Sequence, residues 1–115
     1  MSGGPWDDAD DGALLTAFRA LANGERLAVL RVLGGCPAGM NISQVAAAAE
    51  LSRFTASRHL KLLCAAGLVT ASRREQSLIH RLDPRGFERV EDWVYDMAPA
   101  SEPAETDDGW MRRTA

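Results

Sequence analysis

The sequence predicts a mainly α domain of about five helices with one small β-hairpin, and three observations lead there. Apolar residues recur at three- and four-residue spacing in separate stretches of the chain. Capping and breaking residues, among them Asn23, Gly34-Gly35, Gly67 and Asp83-Pro84, fall between those stretches. A single pair of strand-like runs, joined by a polar turn, lies late in the chain.

The first helix is expected over residues 11–22, with Asp11 as N-cap and Leu14, Phe18 and Leu21 as its apolar stripe. Asn23 caps a second, with Leu27, Leu30 and Leu33 as the stripe and Val29 and Val32 alongside. Gly34-Gly35 should end it where a left-handed residue is needed. Cys36-Pro37-Ala38-Gly39 reads as a loop, and Met40-Asn41-Ile42 alternates as a short strand. Ser43 then offers an N-cap to a short helix over residues 44–50, with Val45, Ala46 and Ala49 on its inner face. A tight turn at Leu51-Ser52 leads into a helix over residues 53–66. Ala56, Leu60 and Leu63 form its stripe, Gly67 ends it, and Arg53, Thr55, Ser57, Arg58 and Lys61 occupy the opposite face. Residues 68–72 and 77–82 are strand-like and joined by Arg73-Arg74-Glu75-Gln76. Two strands alone are marginal in water, so this hairpin must pack on helices. Asp83 caps the last helix with Pro84 at its first position, and Phe87, Val90, Val94 and Met97 trace its stripe.

With 115 residues the chain holds one domain, expected over residues 11–98 between acidic tails at 1–10 and 99–115. The tails are rich in Gly, Pro, Ser, Ala and acid, a composition expected to stay disordered. Trp6 and Trp110 are isolated aromatics within them, suited to docking on the domain or touching a partner. The chain is short for an enzyme with a deep pocket, and no nucleophile with a base, carboxylate pair or phosphate-cradling glycine loop is evident. Two cysteines are too few for a disulfide scaffold. No signal-type leader and no apolar run of roughly 20 residues is present, so a cytoplasmic protein with no membrane partner is expected.

The net charge of −3 conceals a segmented distribution. Residues 1–11 carry −4 and residues 12–39 carry +2, while residues 40–82 carry +4 from Arg53, Arg58, Lys61, Arg73, Arg74 and Arg81 against Glu50 and Glu75. Residues 83–98 and 99–115 carry −3 and −2. A basic module lies between acidic ends, which points to a polyanion partner for the middle of the chain.

Two short helices across a tight turn, the second with a basic outer face and followed at once by a basic-tipped hairpin, resemble a winged helix-turn-helix DNA-binding domain. Leu21-Ala22-Asn23-Gly24-Glu25-Arg26-Leu27 with Val29-Leu30 is similar to the start of the second helix in the arsenic-repressor (ArsR) family of bacterial regulators. Leu51-Ser52, Thr55-Ala56-Ser57-Arg58-His59-Leu60-Lys61 and Ala66-Gly67-Leu68-Val69 resemble that family's recognition helix running into its wing. The resemblance covers about residues 13–97. It implies a homodimeric transcriptional repressor, dimeric through its first and last helices, that binds double-stranded DNA at an inverted-repeat operator.

In that geometry Arg53, Phe54, Thr55, Ser57 and Arg58 are expected to meet base edges, with Phe54 either touching thymine methyls or packing on the preceding helix. Lys61, Ser43 and Gln44 suit phosphates, and His59 matches a family position where it bonds to phosphate or supports the helix. Arg73, Arg74 and Gln76 would reach the adjacent minor groove or backbone. The dimer interface is expected at Leu14, Phe18, Phe87, Val90, Trp93, Val94 and Met97, a wide apolar face that something must cover.

The family's cysteine metal site would fall in Met40-Asn41-Ile42-Ser43-Gln44-Val45, where Asn41 and Ser43 stand in place of thiolates. Its other site needs a histidine on the last helix, where this chain has Glu88, Glu91, Asp92 and Asp96. No metal and no cofactor are therefore expected, and no residue pattern identifies an effector. Cys36 and Cys64 form a candidate thiol switch, against the plainer reading of Cys64 as core packing. The competing functional class is a winged-helix protein-interaction module with no specific DNA target. The basic outer face argues for DNA, and Phe54 argues the other way.

Overall fold

The computed structural model describes residues 8–98. Both expected tails, with Trp6 and Trp110, lie outside the described residues except for residues 8–10. The order is α1 (Asp8–Leu21), α2 (Gly24–Gly34), α3 (Ile42–Ala49), α4 (Arg53–Ala65), β1 (Val69–Arg74), β2 (Ser77–Leu82) and α5 (Pro84–Met97). The helices surround a core whose largest fully buried side chains are Val29, Leu33, Val45, Leu60, Leu63 and Leu68.

α1 begins three residues before the expected cap, so Asp11 lies inside the helix. Its fully buried residues are Ala17 and Ala20, while Leu14 and Phe18 of the expected stripe are half-buried. Small side chains let α1 approach α2 and α4 closely, and the larger ones fall to its flanks. In α2, Asn23 is the N-cap, its Oδ1 accepting from Arg26 N at 3.0 Å. Val29, Leu30 and Leu33 are buried. Leu27, counted in the expected stripe, is 37% exposed because 100° per residue places it about 110° round the helix from the centre of those three. Gly35 closes α2 at φ −85°, a right-handed conformation rather than the expected left-handed one, and its N–H reaches Arg31 O and Val32 O at 3.1 and 3.2 Å.

α3 starts at Ile42, capped by Asn41 and not by Ser43. Gln44 N donates to Asn41 Oδ1 and Asn41 N donates to Gln44 Oε1, both at 2.8 Å. This reciprocal capping box satisfies two backbone donors where a lone Ser43 cap would satisfy one. The expected short strand at 40–42 is a single bridge, Met40 to His80, closed by bonds of 3.0 and 2.8 Å.

α4 is capped by Ser52, whose Oγ accepts from Thr55 N at 3.0 Å, and buries Ala56, Leu60 and Leu63. Gly67, at φ +78°, turns the chain out of the helix into β1 as an L side chain rarely could. The hairpin is antiparallel from Val69↔Leu82 to Arg74↔Ser77. Arg73 and Arg74 are therefore strand residues, and the turn is the pair Glu75-Gln76 rather than four residues. The hairpin packs on α2, α3 and α4. Asp83 Oδ1 accepts from Arg85 N at 3.1 Å to cap α5. Gly86, in the first turn, lies so close to the α4–β1 turn that a Cβ there would run into the Gly67 carbonyl.

Two outcomes follow from this packing. Alanine in place of a helical glycine ordinarily stabilises by roughly 0.5–1 kcal/mol, but overpacking costs about 1–3 kcal/mol and the obstacle at Gly86 is backbone. Gly86→Ala should therefore lower the urea midpoint, and a raised midpoint would show that α5 does not seat on Gly67. Burial holds the His80 imidazole, 3% exposed, below its ordinary 6.5, only partly offset by its hydrogen bond to the Met40 carbonyl. The unfolded chain thus takes up the proton first, and stability present above pH 6.5 is lost as pH falls through the window below it. Urea unfolding across that window should show a smaller slope for His80→Gln than for the natural chain, and equal slopes would refute the assignment.

Candidate nucleic-acid interface

Because Ala56, Leu60 and Leu63 face inward, the helical period decides what α4 presents outward. Phe54 and Arg58 lie about 150–170° from the centre of the buried stripe, at the apex of the free face. Arg53, Ser57 and Lys61 fall on the flank toward the hairpin, and Thr55, His59 and Leu62 on the flank toward α2. Phe54 is 70% exposed, so it does not pack on the preceding helix. Arg53, Arg58 and Lys61 are exposed, whereas Thr55 and Ser57 are half-buried. The Thr55 hydroxyl accepts from Ser52 Oγ at 3.0 Å, which commits it to the cap more than to the free face.

The hairpin tip stands beside this surface. Ser43 of α3, Arg53 of α4 and Gln76 of the turn line one depression of about 200 Å³. A second, about 210 Å³, separates Ser57 and Lys61 from Ala71, Leu78 and His80 of the hairpin. Arg73, Arg74 and Gln76 are exposed, and Glu75 takes a left-handed conformation at φ +57°. Gln44 is exposed, but its carbonyl is engaged in the α3 cap. Among the described residues the salt bridges are His59 to Glu25 and Arg85 to Asp83. The cations of α4 and the wing have none, so their field is turned outward.

His59 is only 13% exposed and faces α2, not the free face of α4. Its Nε2 is 2.8 Å from Glu25 Oε1 and its Nδ1 3.4 Å from Arg26 Nη1. A guanidinium cannot accept a hydrogen bond, so Nδ1 accepts and the Nε2 proton is donated to Glu25. Of the two roles read for His59, this geometry is that of a support for the helix. Arg26 also donates from Nε to Ala20 O at 2.6 Å and from Nη2 to Arg19 O at 3.3 Å. One side chain thus ties the end of α1 and the head of α2 to the middle of α4. The sequence places Glu25 and Arg26 within the stretch that carries the family resemblance, but gives no sign of their contacts with His59, more than thirty residues on.

On the far side, Phe18 of α1 meets Trp93 of α5 edge-on, with centroids 5.4 Å apart. Leu14, Phe87, Val90 and Trp93 are half-buried, and Val94 and Met97 remain 52% and 51% exposed. Leu15 and Tyr95, outside the expected stripes, are 50% and 80% exposed, and the helical period turns Tyr95 about 120° from the centre of the α5 stripe. Cys36 and Cys64 are free thiols. Cys36 Sγ donates to Gly39 O at 3.5 Å, and burial pushes the Cys64 thiol up, away from the reactive thiolate. Among the described residues no three His, Cys, Asp or Glu side chains gather to hold a metal ion. No helix among them is long and apolar enough to cross a membrane.

Residues 21–71, from the end of α1 into β1, match the sequence model of a helix-turn-helix domain. No curated protein matches the chain. Solved structures do. The homodimeric winged helix-turn-helix DNA-binding domain of Mb0332 from Mycobacterium bovis, a possible ArsR-family transcriptional regulator, is 27% identical. That match covers 84% of this chain and 90% of that one, with a TM-score of 0.65. An ArsR-like transcriptional regulator from Rhodococcus sp. RHA1 is 24% identical over 90% of this chain and 87% of that one, with a TM-score of 0.68. NolR from Sinorhizobium fredii is 22% identical over 88% of this chain and 100% of that one, with a TM-score of 0.61. The last two show likeness of fold.

Arg26→Met keeps the aliphatic stem and removes every donor, so the Ala20 carbonyl and His59 Nδ1 lose the guanidinium. Stability measured by urea unfolding should fall by about 1–3 kcal/mol. A loss no larger than that of a surface arginine such as Arg73→Met would show that Arg26 does not hold α4.

Proposed function

We propose that this chain, a winged helix-turn-helix regulator of the ArsR family, acts in the cytoplasm as a homodimeric repressor whose two recognition helices enter successive major grooves of an inverted-repeat operator. The observation that carries this reading is the joint outward display of Arg53, Arg58 and Lys61 on α4 with Arg73 and Arg74 on the wing, on a chain whose net charge is −3. Nothing in fold stability calls for that concentration of unpaired cations on one face, and a polyanion does. Arg53, Phe54, Ser57 and Arg58 read base edges; Lys61 with Ser43 and Gln44 holds phosphates; Arg73, Arg74 and Gln76 follow the backbone into the neighbouring minor groove.

The half-exposed Val94 and Met97 support a partner copy on the α1–α5 face, with Leu14, Phe18, Phe87, Val90 and Trp93 beneath. Asn41, at one of the positions where the family's metal sensors carry thiolates, is spent on the α3 cap. This supports a regulator without that metal site.

The test is fluorescence anisotropy across a salt series, with DNA from immediately upstream of the chain's own gene and random DNA as competitor. Binding should be tight, competitor-resistant, two protomers per site and steeply salt-dependent, and Arg74→Ala should lower the salt slope by about one unit. Affinity equal to that for random DNA would overturn the reading. It would favour the protein-interaction alternative, to which the exposure of Phe54 and Leu62 otherwise lends its only support.

A further inference from the structure

Resting on the DNA-binding reading above, we propose that Arg58 and Phe54 act as one unit that specifies a guanine and, within two base-pair steps of it in the half-site, an A·T pair. The guanidinium carbon of Arg58 lies over the Phe54 ring, 5.8 Å from its centroid, within the roughly 6 Å over which a cation is drawn to an aromatic face. The two residues are one helical turn apart at the apex of the free face of α4, and the ring is 70% exposed. Among the described residues no carboxylate forms a salt bridge with Arg58. The Phe54 ring is the partner seen for this guanidinium.

The chemistry of the major groove assigns each half of the pair. Guanine presents N7 and O6 side by side, and the arginine fork meets both with parallel hydrogen bonds. An unsupported arginine gives up about 2 kcal/mol of rotamer entropy to do so; one already stacked on Phe54 gives up less. The ring itself has no donor or acceptor, and the apolar feature that the major groove offers it is the thymine C5 methyl. Distance limits the base pair: 5.8 Å is less than two base-pair rises of about 3.4 Å each. The ring therefore meets a pair within two steps of the guanine. Arg53 and Lys61, on the hairpin flank, read or hold other positions.

The experiment is selection from a randomised double-stranded DNA library with the full chain, run in parallel for the natural protein, Arg58→Ala and Phe54→Ala. Both side chains are exposed, and unchanged thermal melts verify that the variants fold. The natural protein should enrich half-sites containing a G·C pair with an A·T pair at a fixed position within two steps of it. Arg58→Ala should lose base preference at the G·C pair, Phe54→Ala at the A·T pair, and each should keep the preferences elsewhere. On the enriched site, replacing that thymine by deoxyuridine removes one methyl group and should weaken the natural protein about fourfold, while leaving Phe54→Ala unaffected. Guanine replacement by inosine, which keeps N7 and O6, should be tolerated, and replacement by adenine should cost roughly five- to a hundredfold. Retention of both base preferences by the two variants, or indifference of the natural protein to deoxyuridine, overturns the pair while leaving DNA binding intact. A natural-protein pool with no enriched site overturns the DNA-binding reading together with the pair.

Discussion

Burial of one stripe on α4 governs the rest of the molecule. Ala56, Leu60 and Leu63 are at most 1% exposed, and each buried leucine contributes about 1.5–3 kcal/mol. A helix pinned along one face has its opposite face determined by geometry alone. Phe54 and Arg58 must look outward, and the hairpin that follows at Gly67 must leave on the Arg53–Lys61 flank. The recognition surface is thus a by-product of core packing: an interior substitution that rotated α4 would re-aim every outward residue without touching any of them.

Polar ties refine what apolar burial sets. Arg26 binds the end of α1 and the His59 ring together, so the helix that carries half of the α1–α5 face is joined to α4. On the other side of α4, the Met40–His80 bridge fastens the hairpin to the loop before α3. Both ties end in a histidine held away from solvent.

Much of this was legible in the sequence, and the places where it was not have physical causes. Helix identities, the α4 stripe, the Gly67 stop and the hairpin emerged from periodicity and punctuation because those signals are local. Asn41 was passed over as a cap because a capping box is a pairwise property, visible only when Gln44 is read as its partner. Ala17 and Ala20 were overlooked as the buried face of α1 because hydrophobic patterning weights large side chains, whereas close helix approach favours small ones. Among the residues of the interface, exposure of Phe54 and Arg58 and the side on which His59 lies follow from the period, but the partner that holds the His59 ring is Arg26, thirty-three residues away. No spacing rule reaches that far.

Gly86 rests against the Gly67 backbone, and Asp83 N donates to Leu68 O at 2.9 Å, so the hairpin folds back and α5 starts in space where α4 has just ended. In a two-fold dimer joined through α5, the separation of the two recognition helices becomes a dimension of the skeleton rather than the reach of a tether. B-DNA turns once in about 10–10.5 base pairs, so adding or removing one pair between half-sites rotates the second by about 35° about the duplex axis. A dimer so built would measure spacing as strictly as it read bases, and to it an operator with the right half-sites at the wrong phase would be a single half-site.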